Sequence, residues 1–342
     1  MKLIYSTFAL AVAALLAAPA AILNAQPWPQ VPGYDDMKIP ADNPMTAEKV
    51  ELGRLLYYDK RLSGDGSRAC YTCHLREKGL TDGEPLAIGA YNAKLTRSAP
   101  TMWNIGYYPA LYWDGRAPSL ERQVLGAWSG GNMGATGANG RPSVDARVAE
   151  LNKITGYKPH FQKVFKKDAI TKEDAAAALA AFMRTIVSVD SPWVKFRQGD
   201  KKAFTKSAQR GWAIFDQKAK CTGCHDGRLL TDMQFHNVGI GMDAATPDMG
   251  RFVVTKDEKD KGAFKTPTLL EIANSAPYFH NGSVKTLEEA VDVMLGGGKK
   301  NQWLDTTNLK EVKLSPKEKK DLLAFLRSLT VNYTITEPTL PQ

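Results

Sequence analysis

Four cysteines occur in the 342 residues, in two pairs of identical spacing: Cys70-Tyr71-Thr72-Cys73-His74 and Cys221-Thr222-Gly223-Cys224-His225. Two thiols three residues apart can add to the two vinyl groups along one edge of a haem, and a histidine beside the second thiol is then held under the iron. A bare Cys-x-x-Cys would also suit zinc or a redox dithiol. The adjoining histidine, present both times and with no cysteine left over, points instead to two covalently bound c-type haems. On this reading Cys70, Cys73, Cys221 and Cys224 carry the thioether bonds, and His74 and His225 are the proximal ligands. The sixth ligands are open at this point. His160, His236 and His280 remain, as do ten methionines. A methionine ligand would raise the reduction potential, but spacing selects none of them.

The elements that must hold these motifs read as helices and loops. Thr46 to Lys60 has an N-capping threonine and an apolar stripe of Val50, Leu52, Leu55 and Leu56. Thr205 to Lys218, with Trp212, Ile214 and Phe215, precedes the second haem motif as the first helix precedes the first. Helix, short loop and haem motif therefore occur twice, about 150 residues apart, a duplication at domain scale. Thr171 to Val187 forms another strong helix, and Ser315-Pro316 opens one from Lys317 to Leu329. Ser191-Pro192 and the polar stretch 198–202 mark the boundary between two domains, 46–198 and 199–332. Residues 26–45 hold five prolines and read as an irregular arm; 333–342 read as a tail. No β-strand pattern stands out. The fold class expected is mainly α, with long loops around the cofactors. The glycine-rich stretch 130–140 lacks Gly-Lys-Ser/Thr and a preceding strand, so it is no phosphate loop.

Composition fits a globular protein: 43% hydrophobic and 24% charged residues leave enough apolar chain to enclose two large planar cofactors. The formal charge is +9, but the lysines are scattered and no basic run carries interleaved aromatics, so nucleic acid is not an expected partner. A lysine-rich surface could weakly steer an acidic redox partner. Met1-Lys2, an apolar run from Leu3 to Leu23 and a small residue at Ala25 read as a secretory signal peptide over 1–25, which implies a periplasmic location. The run approaches spanning length, so an uncleaved anchor is the alternative.

Longer stretches resemble the bacterial dihaem cytochrome c peroxidase superfamily, which includes the MauG-type enzymes. They are Glu51-Leu-Gly-Arg-Leu-Leu, Ser98-Ala-Pro-Thr-Met-Trp-Asn104 and Tyr112-Trp-Asp-Gly-Arg-Ala117 in the first half. In the second half they are Gly250-Arg-Phe, Gly262-Ala-Phe-Lys-Thr-Pro-Thr-Leu269, Ala276-Pro-Tyr-Phe-His280 and Leu287-Glu-Glu-Ala-Val-Asp-Val-Met294. The resemblance spans about residues 45–332. It implies two cytochrome c-like helical domains, each with one haem; the first haem meets peroxide and the second receives and stores electrons. It implies that Met294 is the sixth ligand of the second haem; His280 is the competing ligand, expected instead to pack beside that haem. It also implies that Trp113 relays electrons between the haems and that Gln123 belongs to the distal pocket of the first.

Two departures bear on activity. Where the family carries a distal histidine after Ile-Gly, this chain reads Ile88-Gly89-Ala90-Tyr91, so the iron should be open, with Tyr91 the nearest possible substitute ligand. Where the family carries a catalytic glutamate, Asn132 stands; it can orient peroxide but cannot shuttle a proton at neutral pH. Ser98 replaces an asparagine of the calcium site between the haems, although Pro277 is kept. The leading expectation is reduction of hydrogen peroxide to water, with electrons from a small cytochrome c or a cupredoxin-type copper protein. A second is MauG-type oxidation of Trp or Tyr side chains of a partner protein. A third, favoured by the missing glutamate, is a non-enzymatic electron carrier or redox sensor.

Overall fold

The computed structural model describes residues 28–342 apart from Asp36; the signal peptide read at 1–25 lies outside the described residues. Two crossed helix pairs organise the chain. In the first half α1 (Ala47–Tyr58) packs on α5 (Lys172–Met183), with α2 (Leu120–Ser129), α3 (Val144–Lys153) and α4 (Lys158–Phe165) between them in sequence. After α6 (Pro192–Arg197), α7 (Lys206–Ala213) packs on α9 (Pro316–Arg327), and α8 (Leu287–Leu295) lies between those two in sequence. The crossings are built alike. A Cβ at Gly53 would stand 2.0 Å from the Ala178 carbonyl oxygen, and one at Gly211 would stand 2.0 Å from that of Asp321. Only a residue without a side chain lets the backbones come so close. One turn on, Tyr57 meets Phe182 and Phe215 meets Phe325 at ring distances of 5.1 and 5.2 Å.

Local chemistry sets the ends of these helices. Thr46 and Thr205 accept hydrogen bonds from the Lys49 and Ala208 amides. Thr171 with Asp174, Thr286 with Glu289, and Ser315 with Glu318 form reciprocal capping boxes. The helix expected over 171–187 stops at Met183, because the chain then runs extended to let Asn104 bond both the amide and the hydroxyl of Ser188. The helix expected over 205–218 is α-helical to Ala213 and widens into a π-helical turn at Ile214–Lys218. Strand is confined, among the described residues, to an antiparallel pair, β1 (Phe235–His236) and β2 (Phe264–Lys265), with Phe235 opposite Lys265.

Arm and tail both pack. Val31 and Met37 are buried with Val187, Val194 and Leu229, and the Asn43 amide donates to Glu121 and to the Ala177 carbonyl. The C-terminal residues return to the first domain: Arg54, Arg61 and Arg76 donate to the carbonyls of Thr336, Pro341 and Tyr333, and the Gly156 amide donates to the Gln342 carbonyl. The stretch read as a tail is a strap joining the two halves.

Candidate functional site

Each haem motif opens onto a cavity. The first, about 460 Å³, is lined by Cys73, His74, Met102, Tyr112, Gln123 and Asn132 among others. The second, about 410 Å³, is lined by Cys221, Cys224, His225, His280 and Met294 among others. The histidines are set identically. His74 Nδ1 is 2.9 Å from the Leu80 carbonyl oxygen, and His225 Nδ1 is 3.1 Å from that of Leu230. Both leucines adopt left-handed backbone, φ 64° and 53°, a conformation an L side chain rarely takes. That strain aims each carbonyl at the imidazole, fixes the tautomer and leaves Nε2 facing the cavity chemistry. Burial lowers the pKa of both histidines, which keeps the rings neutral and able to ligate iron. Burial also pushes the Cys70 and Cys221 thiols up to about 12, which keeps both protonated and sets them apart from the low-pKa thiolates of redox dithiols. The donor set fits haem in both cavities: a thioether-forming pair and one neutral, carbonyl-anchored imidazole.

Trp113 belongs to the wall of both cavities. Its indole N–H donates to the Ser98 carbonyl at 2.9 Å, and its own carbonyl accepts from the Lys265 amide at 2.8 Å. Lys265 also lines both cavities. Its ammonium donates to the Ala110 carbonyl at 2.9 Å and lies 4.3 Å above the Tyr108 ring, and burial pushes its pKa down to about 7. Arg97 clamps the same region, bonded to Asp114 of the first domain and Asp248 of the second, each at 2.7 Å. Sequence reading missed both residues. Lys265 is a single cation within a longer motif and Arg97 stands just before another, and no periodicity marks the burial of either.

Gln123 and Asn132 share the first cavity as expected, and Tyr112 steadies the former by donating to the Gln123 carbonyl at 3.0 Å. Among the described residues lining this cavity, Asp114 is the one carboxylate. It is held by Arg97 at 2.7 Å and Arg116 at 3.0 Å, so it is no free base. Ala90 is fully buried and donates its amide to the Asn132 carbonyl. Tyr91 corrects the expectation placed on it. It lines neither cavity, is 37% exposed, and has left-handed backbone at φ 56°. Its amide is tied to Asp65 at 2.6 Å and its ring lies under the Arg141 guanidinium at 4.3 Å, so the phenol is held away from the first iron position.

On the other side, Met294 projects from α8 into the second cavity. His280, 4% exposed, packs flat on Phe264 at 3.6 Å. His236 also lines this cavity, clasped by Asp232 at 2.9 Å and Asp305 at 2.6 Å. Its hydrogen bond to Asp232 leads the causes that raise its pKa to about 11. Cys224, Asp232 and His236 bring three ligand atoms within 4.8 Å, but haem attachment consumes that sulfur and both imidazole nitrogens already face carboxylates. His160 stands apart, edge-on to Tyr157. At position 98 the Ser98 hydroxyl donates to the Phe279 carbonyl at 2.9 Å and the Ser98 carbonyl accepts from the Trp113 indole at 2.9 Å, tying the first domain to the second.

Residues 47–202 match the family model for di-haem cytochrome c peroxidase, and 208–330 match that for cytochrome c. A cytochrome-c peroxidase, IdrP1, of Denitromonas iodatirespirans is 37% identical over 97% of this chain and 95% of its own. The chain belongs to the di-haem cytochrome c peroxidase family. Within it, the methylamine utilization protein MauG of Methylorubrum extorquens is 38% identical over 88% of this chain and 84% of its own. A crystal structure of a MauG-like protein associated with microbial copper homeostasis superposes with a TM-score of 0.83 at 35% identity, covering 91% of this chain and 97% of that one. As a member of the di-haem cytochrome c peroxidase family, the chain is a mainly helical peroxidase-class oxidoreductase with two c-type haems.

Proposed function

We propose that this protein reduces hydrogen peroxide to water in the first cavity, with electrons taken from a small redox protein at the second. Haem, when bound, supplies the iron at which peroxide is cleaved and the store from which electrons come. The chain's own residues do the rest. The Asn132 amide and the Gln123 side chain orient peroxide, burial keeps His74 neutral, and the Leu80 carbonyl holds its ring in register. Trp113 offers the electron a route. The observation that carries this reading is the single indole forming part of both cavity walls. With Asp114 bound to two arginines, the first cavity has, among the described residues, no free carboxylate to move the peroxide proton, so turnover should be slow for the family. The location proposed is the periplasm, on the strength of residues 1–25. Steady-state consumption of peroxide with a reduced small cytochrome c tests the activity; no oxidation of the donor above the uncatalysed rate would refute it.

A second reading, oxidation of Trp or Tyr side chains of a partner protein, is favoured by Ala90, which has no atom to ligate iron at the position where the family resemblance puts a distal histidine. Peroxide-dependent oxidation of a protein substrate, without prior reduction of the enzyme, would support it.

A further inference from the structure

A row of oxidisable side chains leads out of the first cavity. Met102, 2% exposed, lines the cavity, and its sulfur accepts the Tyr57 hydroxyl at 3.6 Å. The Tyr57 ring lies 5.4 Å from that of Tyr58, and Tyr58 stacks on Tyr71 at 4.8 Å with an interplanar angle of 27°. Tyr57 is fully buried and Tyr58 nearly so, whereas Tyr71, inside the first haem-attachment loop, is half-buried with the Lys60 ammonium 5.7 Å over its ring. We propose that Tyr71 is a surface oxidation site, through which oxidising equivalents generated in the first cavity reach small phenols in solution.

The physical argument is one of proton release. A tyrosine oxidised by one electron becomes a stable neutral radical only if its phenolic proton can leave. Burial raises the pKa of Tyr57 well above the ordinary value and pushes that of Tyr58 up to about 12. Both are more buried than Tyr71, so the phenolic proton has a poorer exit to solvent from either of them. Tyr71 reaches solvent and can give its proton to water while the electron passes inward through Tyr58, Tyr57 and Met102. A phenol then returns a hydrogen atom to the Tyr71 oxygen. Two such events balance one peroxide: H2O2 + 2 ArOH gives 2 H2O + 2 ArO•. Close packing of aromatic rings at these distances accounts for stability alone, but not for the methionine at the cavity end or solvent at the other.

The inference rests on the proposed reaction of peroxide in the first cavity. The test treats the holoprotein with hydrogen peroxide and a nitroso spin trap, with no protein donor, and maps the adduct by peptide mass. The expected adduct is on Tyr71. Tyr71→Phe should abolish it and lower guaiacol oxidation several-fold, while a pyridine haemochrome assay still counts two haems. Peroxide consumed with the adduct on Trp113, Tyr333 or Tyr91 and none on Tyr71 overturns the site and leaves the peroxide reading standing. Unchanged guaiacol oxidation in Tyr71→Phe does the same. Peroxide not consumed at all overturns both.

Discussion

Met294 lines the second cavity and Asn132 the first, with the buried Ala90 donating its amide to the Asn132 carbonyl. Met294 reaches the second cavity from a capped helix, and a thioether ligand raises a haem's potential. Met294→Ala should therefore abolish the near-infrared methionine-to-iron charge-transfer band of the oxidised protein and lower the higher of the two potentials; an unchanged band would assign the ligand to another methionine, and a parent protein without the band would put His280 first in line. At the first haem the all-ferric protein should show a high-spin electron paramagnetic resonance signal and bind cyanide without prior reduction. Ala90 has no ligand atom, and Tyr91 is held under Arg141 outside the cavity. Two low-spin haems at rest would contradict this. Because general acid–base help contributes about 10²- to 10⁴-fold, Asn132→Glu should raise peroxide turnover by a sizeable part of that range in a steady-state assay. Legibility differed among these residues. Cysteine and histidine spacing carries its own chemistry, and Met294 was reached through a resemblance. Tyr91 could not be placed from sequence, since its left-handed backbone and its contacts with Asp65 and Arg141 are tertiary.

The helices were legible because their caps and apolar stripes are local. Their ends were not, because the ends answer to partners far along the chain, as with Asn104 and Ser188. The duplication was visible as helix, loop and motif, but its tightest feature is the glycine crossing, which no periodicity shows. Gly53 and Gly211 each leave room for a carbonyl 2.0 Å from where a Cβ would be. The methyl must push backbone, not a flexible side chain. Gly53→Ala and Gly211→Ala should each cost about 1–3 kcal/mol, read as a lower denaturation midpoint in guanidinium. The loss in Gly211→Ala should perturb the second haem's spectrum first and that in Gly53→Ala the first haem's. Equal and small effects at both positions would mean that the helix pairs can slide apart without strain.

At the scale of the whole molecule the question is how two cytochrome-like halves act as one. Domain order could be read from the two motifs, but the strap of 331–342 and the Arg97 clamp between Asp114 and Asp248 could not, since each joins residues more than a hundred positions apart. These contacts fix the halves so that Trp113 faces both cavities. Lys265 accompanies it there, but its saturated chain carries no orbital suited to passing an electron. If the indole is the route, removing it must slow transfer without loosening the join. Trp113→Phe keeps an aromatic wall and loses the readily oxidised ring and the hydrogen bond to Ser98. In stopped flow, protein reduced at the second haem and mixed with peroxide should then re-oxidise that haem about tenfold more slowly or worse, a barrier increase of about 1.4 kcal/mol. Haem content and the Met294 band should stay as in the parent. A lost band would mean that the join had moved and the rate reports geometry. An intact band with an unchanged rate would mean that the electron crosses by another route, with Lys265 and Pro267 the other described residues that line both cavities.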